Sequence, residues 1–298
     1  PPLTFPDGFR WSVASSAHQI EGGNVNSDWW DFEMKPGAIK RGERSGQACD
    51  HWHRVAQDVA LVKSLNLNHV RLSVEWARIE PEPGVFDAAA LAHYADELMQ
   101  LKQAGIETLV TLHHFTLPKW VAALGGWADA GIPERFARYA AKVYEELGPL
   151  ARDWVTINEP MVIIVAGYLS GDFPPALRDA RLIQAPLVGL IRGHALAYHA
   201  VHRLAATAGR PVRLGLAHHL RVFDAARAWH PLDRLTASVL GRAFNWSIPE
   251  ALRTGRLAMR LPGLAMFDVA IPEAKATEDF FGLDRKSTRL NSSHTDIS

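Results

Sequence analysis

Short apolar segments with strand character alternate with amphipathic helical patterns along this chain, and this alternation constrains its fold more than any other feature. The predicted strands lie at residues 9–15, 69–74, 108–112, 154–158 and 212–217, and a sixth begins at 279–283. Between the strands, apolar residues recur at helical spacing, as in the first predicted helix, residues 54–65. Strands that alternate with helices in this way predict a parallel sheet with crossover helices.

The residues at the expected ends of the helices support this assignment. Asp87 is a predicted N-cap for the second helix, and Pro133 is predicted to open the third. A long helix is predicted over residues 180–206, with Pro186 near its start or at a kink. The region after residue 217 is predicted to be mixed, with a helical piece at 236–244 and prolines as breaks.

Composition narrows the class of partner. Lys plus Arg and Asp plus Glu each number 32, so the formal charge is zero, and no nucleic acid or membrane partner is predicted. No apolar run reaches the ~18 residues of a membrane span. The single cysteine, Cys49, cannot form an internal disulfide, which favours a cytoplasmic location. No signal peptide is seen, but the chain does not begin with Met, so we expect that its first residues are missing.

The fourth strand ends in an unusual pair of residues. Its sequence, WVTINEP at residues 154–160, presents Asn158 and Glu159 at the carboxyl tip. Pro160 has no backbone N–H and is expected to hold Glu159 in extended geometry. Barrels of the (β/α) type build active sites at such strand ends, whereas an isolated Glu at a strand end is usually just solvated.

Four motifs together carry a family resemblance. They are FPDGFRW with QIEG (residues 5–11 and 19–22), RLSVEWARI (71–79), TLHHFTLP (111–118) and TINEP (156–160). In this order they resemble glycoside hydrolase family 1, the β-glucosidase family. The resemblance implies an α/β fold of the (β/α)8 TIM-barrel type and a retaining β-glycosidase. Such an enzyme hydrolyses β-glucosides or β-galactosides, a small-molecule carbohydrate substrate, without a cofactor.

The chain is expected to hold only part of that barrel. Residues 1–283 account for about five β/α units plus the start of strand six. Residues 284–298 are polar and aperiodic, and Asp284-Arg285 stands where family members have Asn-Tyr. This tail also matches the in-frame translation of a common sequencing adapter. We therefore expect a C-terminally truncated chain with a non-native tail.

A retaining glycosidase needs two carboxyl groups about 5–5.5 Å apart, an acid/base and a nucleophile. The resemblance implies that Glu159 is the acid/base. The family nucleophile lies on the seventh strand in a Thr-Glu-Asn-Gly motif, which this sequence lacks. Glu21 and Glu75 are the other carboxylates that could reach the site, but neither is favoured. No nucleophile is assigned, and this fragment is expected to be inactive.

Sugar recognition needs planar polar groups that bridge neighbouring hydroxyls. The resemblance assigns this role to Gln19, His114 and Asn158, and it places Arg71 beside the nucleophile. Taken alone, each residue favours a structural role: Gln19 and Asn158 as turn residues, His114 as a core histidine and Arg71 as half of an ion pair. Phe115 stands where many members have Trp, so an indole donor is missing and the preferred sugar stays open.

No metal site is predicted, although the chain has 14 histidines. The adjacent pairs at residues 113–114 and 218–219 should point to opposite faces of a strand, and His51-Trp52-His53 matches no metal motif. Two alternatives to a β-glucosidase remain: a phospho-β-glycosidase, or a noncatalytic sugar-binding or interaction module on a degenerate barrel. Retention of Asn158 and Glu159 favours an enzyme. The oligomeric state is not predicted.

Overall fold

The structure is a computed structural model that describes residues 4–284; residues 285–298 of the expected tail lie outside the described part. Its strands are β1 (Ser12–Ala14), β2 (His69–Ser73), β3 (Glu107–His113), β4 (Asp153–Asn158), β5 (Arg213–His219), β6 (Arg256–Leu261), β7 (Ala265–Ala270) and β8 (Phe280–Asp284). Six of them form one sheet in the order β1-β2-β3-β4-β5-β8, and each neighbouring pair is parallel. The expected incomplete (β/α) barrel, with five units and the sixth sheet strand, is therefore confirmed.

Helices connect these strands. They are α1 (Ala17–Ile20), α2 (Asp28–Glu33), α3 (His51–Ser64), α4 (Trp76–Ile79), α5 (Ala88–Gln103), α6 (Lys119–Ala123), α7 (Ile132–Leu147), α8 (Pro160–Ile164), α9 (Gln184–Thr207), α10 (Pro231–Gly241) and α11 (Ser247–Thr254). Short 3-10 turns lie at Gly126–Ala128, Ala180–Leu182 and Pro272–Ala274, and π-helical turns at Val165–Ser170 and Arg242–Trp246. Among the described helices, none is both long and apolar enough to cross a membrane.

The predicted helix boundaries are mostly confirmed. The Asp87 carboxylate accepts hydrogen bonds from the N–H groups of Ala89 and Ala90, at 2.8 and 3.1 Å, and so caps α5. Pro133 and Pro186 both lie in first turns, where a missing N–H costs little. Helix α3 begins at His51, three residues before the predicted start at residue 54, because its first turn is polar and the apolar stripe starts only at Val55.

One element was missed. Strands β6 and β7 form an antiparallel hairpin in the region predicted to be irregular. The turn holds Gly263, whose φ of +76° lies in the left-handed region that favours glycine. Leu257 and Met259 are buried on β6 with exposed Arg256 and Arg260 around them, which is the alternation of a half-buried strand. The pattern was present in the sequence but short.

The core lies between the sheet and the helices on its outer face. Trp76 stacks on Tyr139 with ring centroids 4.8 Å apart, and both side chains are buried. Trp154 on β4 is also buried, against Tyr144 of α7. These two tryptophans therefore fill the core.

Candidate active site

The parallel sheet gathers the predicted site residues at one edge. The β3–β4 register pairs His113 with Ile157, so the next residues, His114 and Asn158, follow at neighbouring strand ends. The β1–β2 register pairs Ala14 with Arg71, and Gln19 follows β1 in helix α1. The carboxyl edge of the sheet is thus where a (β/α) barrel would carry its chemistry.

The backbone at Glu159 differs from the prediction. Pro160 was expected to hold Glu159 extended, but the residue lies in the left-handed region with φ 45° and ψ 60°. Its N–H donates to the carbonyl of Ala217 at 2.7 Å, and helix α8 begins directly at Pro160. This reversal into the helix overrides the local preference before proline. A non-glycine residue in this region costs roughly 1–3 kcal/mol, and such strain is concentrated at functional sites.

The Glu159 side chain is fully buried and contacts the next strand. Its Oε1 lies 2.9 Å from Nδ1 of His219, the last residue of β5. Sequence reasoning considered His219 only as half of a metal-binding pair and missed this contact. The contact could have been expected from the position of His219, because this residue ends β5, the strand that pairs with β4.

A second carboxylate lies close to this pair. Asp284, the last residue of β8, was assigned to the polar tail, but it is paired in the sheet with His219. One ligand atom each from Glu159, His219 and Asp284 lie within 4.8 Å of one another. These three residues are named the carboxylate cluster below.

Arg71 joins the carboxylate cluster to Asn158. Its guanidinium donates to Oδ1 of Asn158 at 2.5 Å and to the Thr111 hydroxyl at 3.1 Å. It also lies 3.9 Å from the Asp284 carboxylate. Burial lowers the pKa of Arg71, while the charges of Asp284 and Glu159 act in the opposite direction. An arginine stays charged throughout, so a fixed cation already balances the carboxylate cluster and reduces its need for a metal ion.

Gln19 and His114 lie instead in a large cavity. This cavity has a volume of about 960 Å³, which is at the upper end for small-molecule sites. Trp29, Phe115 and Phe173 form an aromatic wall beside them. The structure therefore brings the five predicted site residues to one sheet edge but divides them into two groups. Gln19 and His114 line the cavity, whereas Arg71, Asn158 and Glu159 do not.

The two alternative carboxylates are held in a structural network. Glu21 accepts hydrogen bonds from the Tyr94 hydroxyl and from the Arg78 guanidinium, both at 2.8 Å. Burial raises its pKa to about 8, although the charge of Arg78 opposes the shift. Glu75 accepts from the Thr116 hydroxyl at 2.9 Å. Both carboxylates are thus held by neighbouring side chains, and neither is hydrogen-bonded to a residue of the carboxylate cluster in the part of the chain that the structure describes.

The adjacent histidines diverge as predicted. His113 accepts from the Trp127 indole, and burial lowers its pKa to about 3, while His114 lines the cavity. His218 contacts the carbonyl of Asn245, whereas His219 contacts Glu159. Neither pair can therefore hold one ion between its two rings, and the expectation of no metal site stays a prediction.

Comparison with known proteins agrees with this geometry. The family model described as "Glycosyl hydrolase family 1" matches residues 2–247. The β-glucosidase A of Thermotoga maritima is 36% identical over 199 residues, which are 65% of this chain and 45% of the relative.

Two solved structures are similar over nearly the whole chain. A β-glycosidase from Pyrococcus horikoshii gives a TM-score of 0.84 at 32% identity, over 96% of this chain and 63% of the other. The Thermotoga maritima β-glucosidase in complex with glucoimidazole gives 0.86 at 27% identity, over 94% and 66%. The chain thus spans between about half and two thirds of these relatives. The family match covers well over half of the chain, which therefore belongs to glycosyl hydrolase family 1.

Proposed function

We propose that this chain is the N-terminal part of a retaining β-glycosidase that hydrolyses β-glucosides or β-galactosides, with Glu159 as acid/base. The observation that carries the proposal is the position of Glu159. It follows Asn158 directly at the carboxyl end of β4. Arg71 is hydrogen-bonded to Asn158, and His219 is hydrogen-bonded to Glu159. A sugar-binding module without activity has no need for an acid there.

In the proposed reaction, Glu159 donates a proton to the glycosidic oxygen while a carboxylate attacks the anomeric carbon. The leaving alcohol departs, and a glycosyl ester forms. Glu159 then takes a proton from a water molecule, whose oxygen attacks the same carbon and releases the sugar and the carboxylate. The hydrogen bond between His219 and Glu159 orients the carboxyl group during both proton transfers.

The nucleophile is proposed to come from a part of the barrel that this chain does not contain. No Thr-Glu-Asn-Gly motif is present, and the relatives are longer than this chain. Arg71 is proposed to lie beside that nucleophile and to keep it ionised. Its cation already lies 3.9 Å from a carboxylate, that of Asp284, at this edge of the sheet.

Gln19, His114 and Asn158 are proposed to bind sugar hydroxyls. Asn158 has its Oδ1 oriented by Arg71, which leaves the amide N–H2 group to donate. A glycone of the glucose or galactose type agrees with the relative that was solved with glucoimidazole. We also propose that the protein acts in the cytoplasm, on the strength of its single cysteine.

Two other functions were considered. A phospho-β-glycosidase needs cationic phosphate contacts next to the glycone, and the residues that would decide this are expected in the part of the barrel that this chain does not contain. A noncatalytic binding role for the isolated chain is favoured by one observation: Glu159 is fully buried and does not line the cavity. Binding without turnover is therefore the behaviour proposed for this chain by itself.

Sugar binding can be tested directly on the 298-residue chain. Replacement of Gln19 by Ala should weaken the binding of phenyl β-D-glucoside by about 3- to 10-fold, the effect of losing one or two neutral hydrogen bonds. His114→Ala should have a similar effect. Gln100→Ala, at a half-buried site on α5 away from the cavity, is the matched control and should leave the binding unchanged. NMR titration provides the dissociation constants, and wild-type affinity in both cavity variants would contradict the assignment.

A further inference from the structure

Four basic side chains lie along the outer part of the cavity that holds Gln19 and His114. Lys35, Lys40 and Arg44 come from the segment after α2, and Arg178 comes from the loop after the π-helical turn at Val165–Ser170. All four are exposed at the mouth. They are named the basic rim below.

The acidic residues of the same cavity are already engaged. Glu33 accepts from the N–H and hydroxyl of Ser45 at 2.8 and 2.9 Å and lies 2.7 Å from the His18 ring. Glu43 lies 3.7 Å from Arg41, and Asp172 accepts from the Ser170 hydroxyl at 2.5 Å. By contrast, no member of the basic rim forms an ion pair with a carboxylate in the part of the chain that the structure describes. Four cations thus face three carboxylates at this cavity, of which Glu33 is buried and Glu43 is paired with Arg41, so positive charge predominates at the mouth.

An aromatic wall lines the cavity that carries the basic rim. Trp29 and Phe173 meet edge to face with ring centroids 4.7 Å apart, and Phe115 and Phe173 do so at 5.4 Å. Aromatic faces of this kind bind flat apolar groups, including other rings. A glycoside whose sugar reaches Gln19 and His114 would place its aglycone against this wall and its far end near the basic rim.

We propose that this cavity selects β-glycosides whose aglycone is both aromatic and anionic, such as a phenolic carboxylate. The proposal rests on the assignment of the sugar site given under "Proposed function" and adds the chemical class of the leaving group. The aromatic wall receives the ring, and the basic rim attracts the carboxylate. Because the rim is exposed, the attraction is screened by water and salt, so it sets a preference among substrates rather than an absolute requirement.

The test compares two ligands that differ in charge alone. 4-Carboxyphenyl β-D-glucoside and its neutral isostere, 4-carbamoylphenyl β-D-glucoside, are titrated into the 298-residue chain and followed by NMR. At about 0.02 M salt the carboxylate should bind roughly 3- to 10-fold more tightly, and at about 0.5 M salt less than about twofold, because the Debye length then falls well below 10 Å. Equal affinities at low salt would overturn the proposal.

Matched variants separate the rim from the overall charge of the protein. The double variants Lys35→Gln/Lys40→Gln and Arg44→Gln/Arg178→Gln should each reduce the carboxylate preference by about half or more. Lys63→Gln/Lys102→Gln removes the same charge from exposed positions on α3 and α5 and should leave the preference intact. An equal loss in this control would show a general field effect and contradict the proposal. If the two glucosides bind with equal affinity, only this inference fails. If neither glucoside binds, the assignment of the sugar site itself is wrong.

Discussion

The 298-residue chain is expected to release p-nitrophenol from p-nitrophenyl β-D-glucoside no faster than its own Glu159→Gln variant. Glu159 is 0% exposed and does not line the cavity, so a bound glucoside does not reach its carboxyl group. Atoms of Glu159 and Asp284 lie within 4.8 Å of each other, and Asp284 does not line the cavity either. Without turnover, the enhancement of at least about 10⁶-fold that enzymes provide should be absent.

The same assay has two informative controls. Asp284→Asn removes the carboxylate that the structure places beside Glu159, and it should also leave the background rate unchanged. Hydrolysis that is abolished by both Glu159→Gln and Asp284→Asn would contradict the prediction and would identify Asp284 as a working nucleophile. Hydrolysis that survives Glu159→Gln would contradict the assigned role of Glu159.

The second large effect concerns pH. The free energy of unfolding is expected to fall as the pH rises from about 6.5 to about 9, and Glu21 is one cause, beside Asp28, whose pKa burial raises to about 7. Burial raises the pKa of Glu21 from 4.5 to about 8, so between these values the folded protein binds more protons than the unfolded chain. The contribution of Glu21 to stability then falls as the pH rises, by up to about 1.4 kcal/mol per unit and by about 5 kcal/mol in all.

His51 should act in the same direction. Its ring lies 2.6 Å from Asp58 and 3.0 Å from Glu97, an arrangement that joins α3 to α5. Burial lowers its pKa, but the hydrogen bonds and charges of Glu97 and Asp58 outweigh burial and raise it from 6.5 to about 9. Its contribution is complete below pH 6.5 and lost as the pH approaches 9. Since the site is partly exposed, we expect about 2 kcal/mol.

Urea denaturation at a series of pH values measures both contributions. Glu21→Gln removes the titrating group while keeping an amide of similar size, so its unfolding free energy should depend less on pH above about 5. Glu146→Gln is a control on the exposed side of α7, where the carboxylate accepts from Lys142. A Glu21→Gln variant with the same pH profile as the wild type would refute the account of Glu21.

Much of the fold could be predicted because its signals are local. Strand β4 is an apolar run closed by a proline, and α5 carries its cap at Asp87, so short windows of sequence define both elements. The β6–β7 hairpin was missed because its alternation is brief and few of its side chains are buried. So short a pattern is a weaker signal than the surrounding prolines, which predict breaks.

The site was harder to predict, because its contacts are between strands distant in sequence. His219 meets Glu159 through the β4–β5 pairing, which joins residues 60 positions apart. The backbone of Glu159 follows a long-range bond to Ala217 rather than the rule for residues before proline. Asp284 was assigned to the tail from polar composition, although strand pairing depends on backbone groups and extends to this residue.

Completion of the barrel permits the most direct test of the central claim, that Glu159 is the proton donor of a glycosidase. Residues 1–284 would be joined to the C-terminal third of the Thermotoga maritima β-glucosidase, of which this chain covers 66%. Hydrolysis of phenyl and 2,4-dinitrophenyl β-D-glucosides is then compared in this protein and in its Glu159→Gln variant. We predict that the variant loses about 10²- to 10⁴-fold in kcat/KM for the phenyl glucoside and far less for the dinitrophenyl glucoside, whose leaving group departs without a proton. Equal losses for the two substrates, or no loss for either, would contradict the claim.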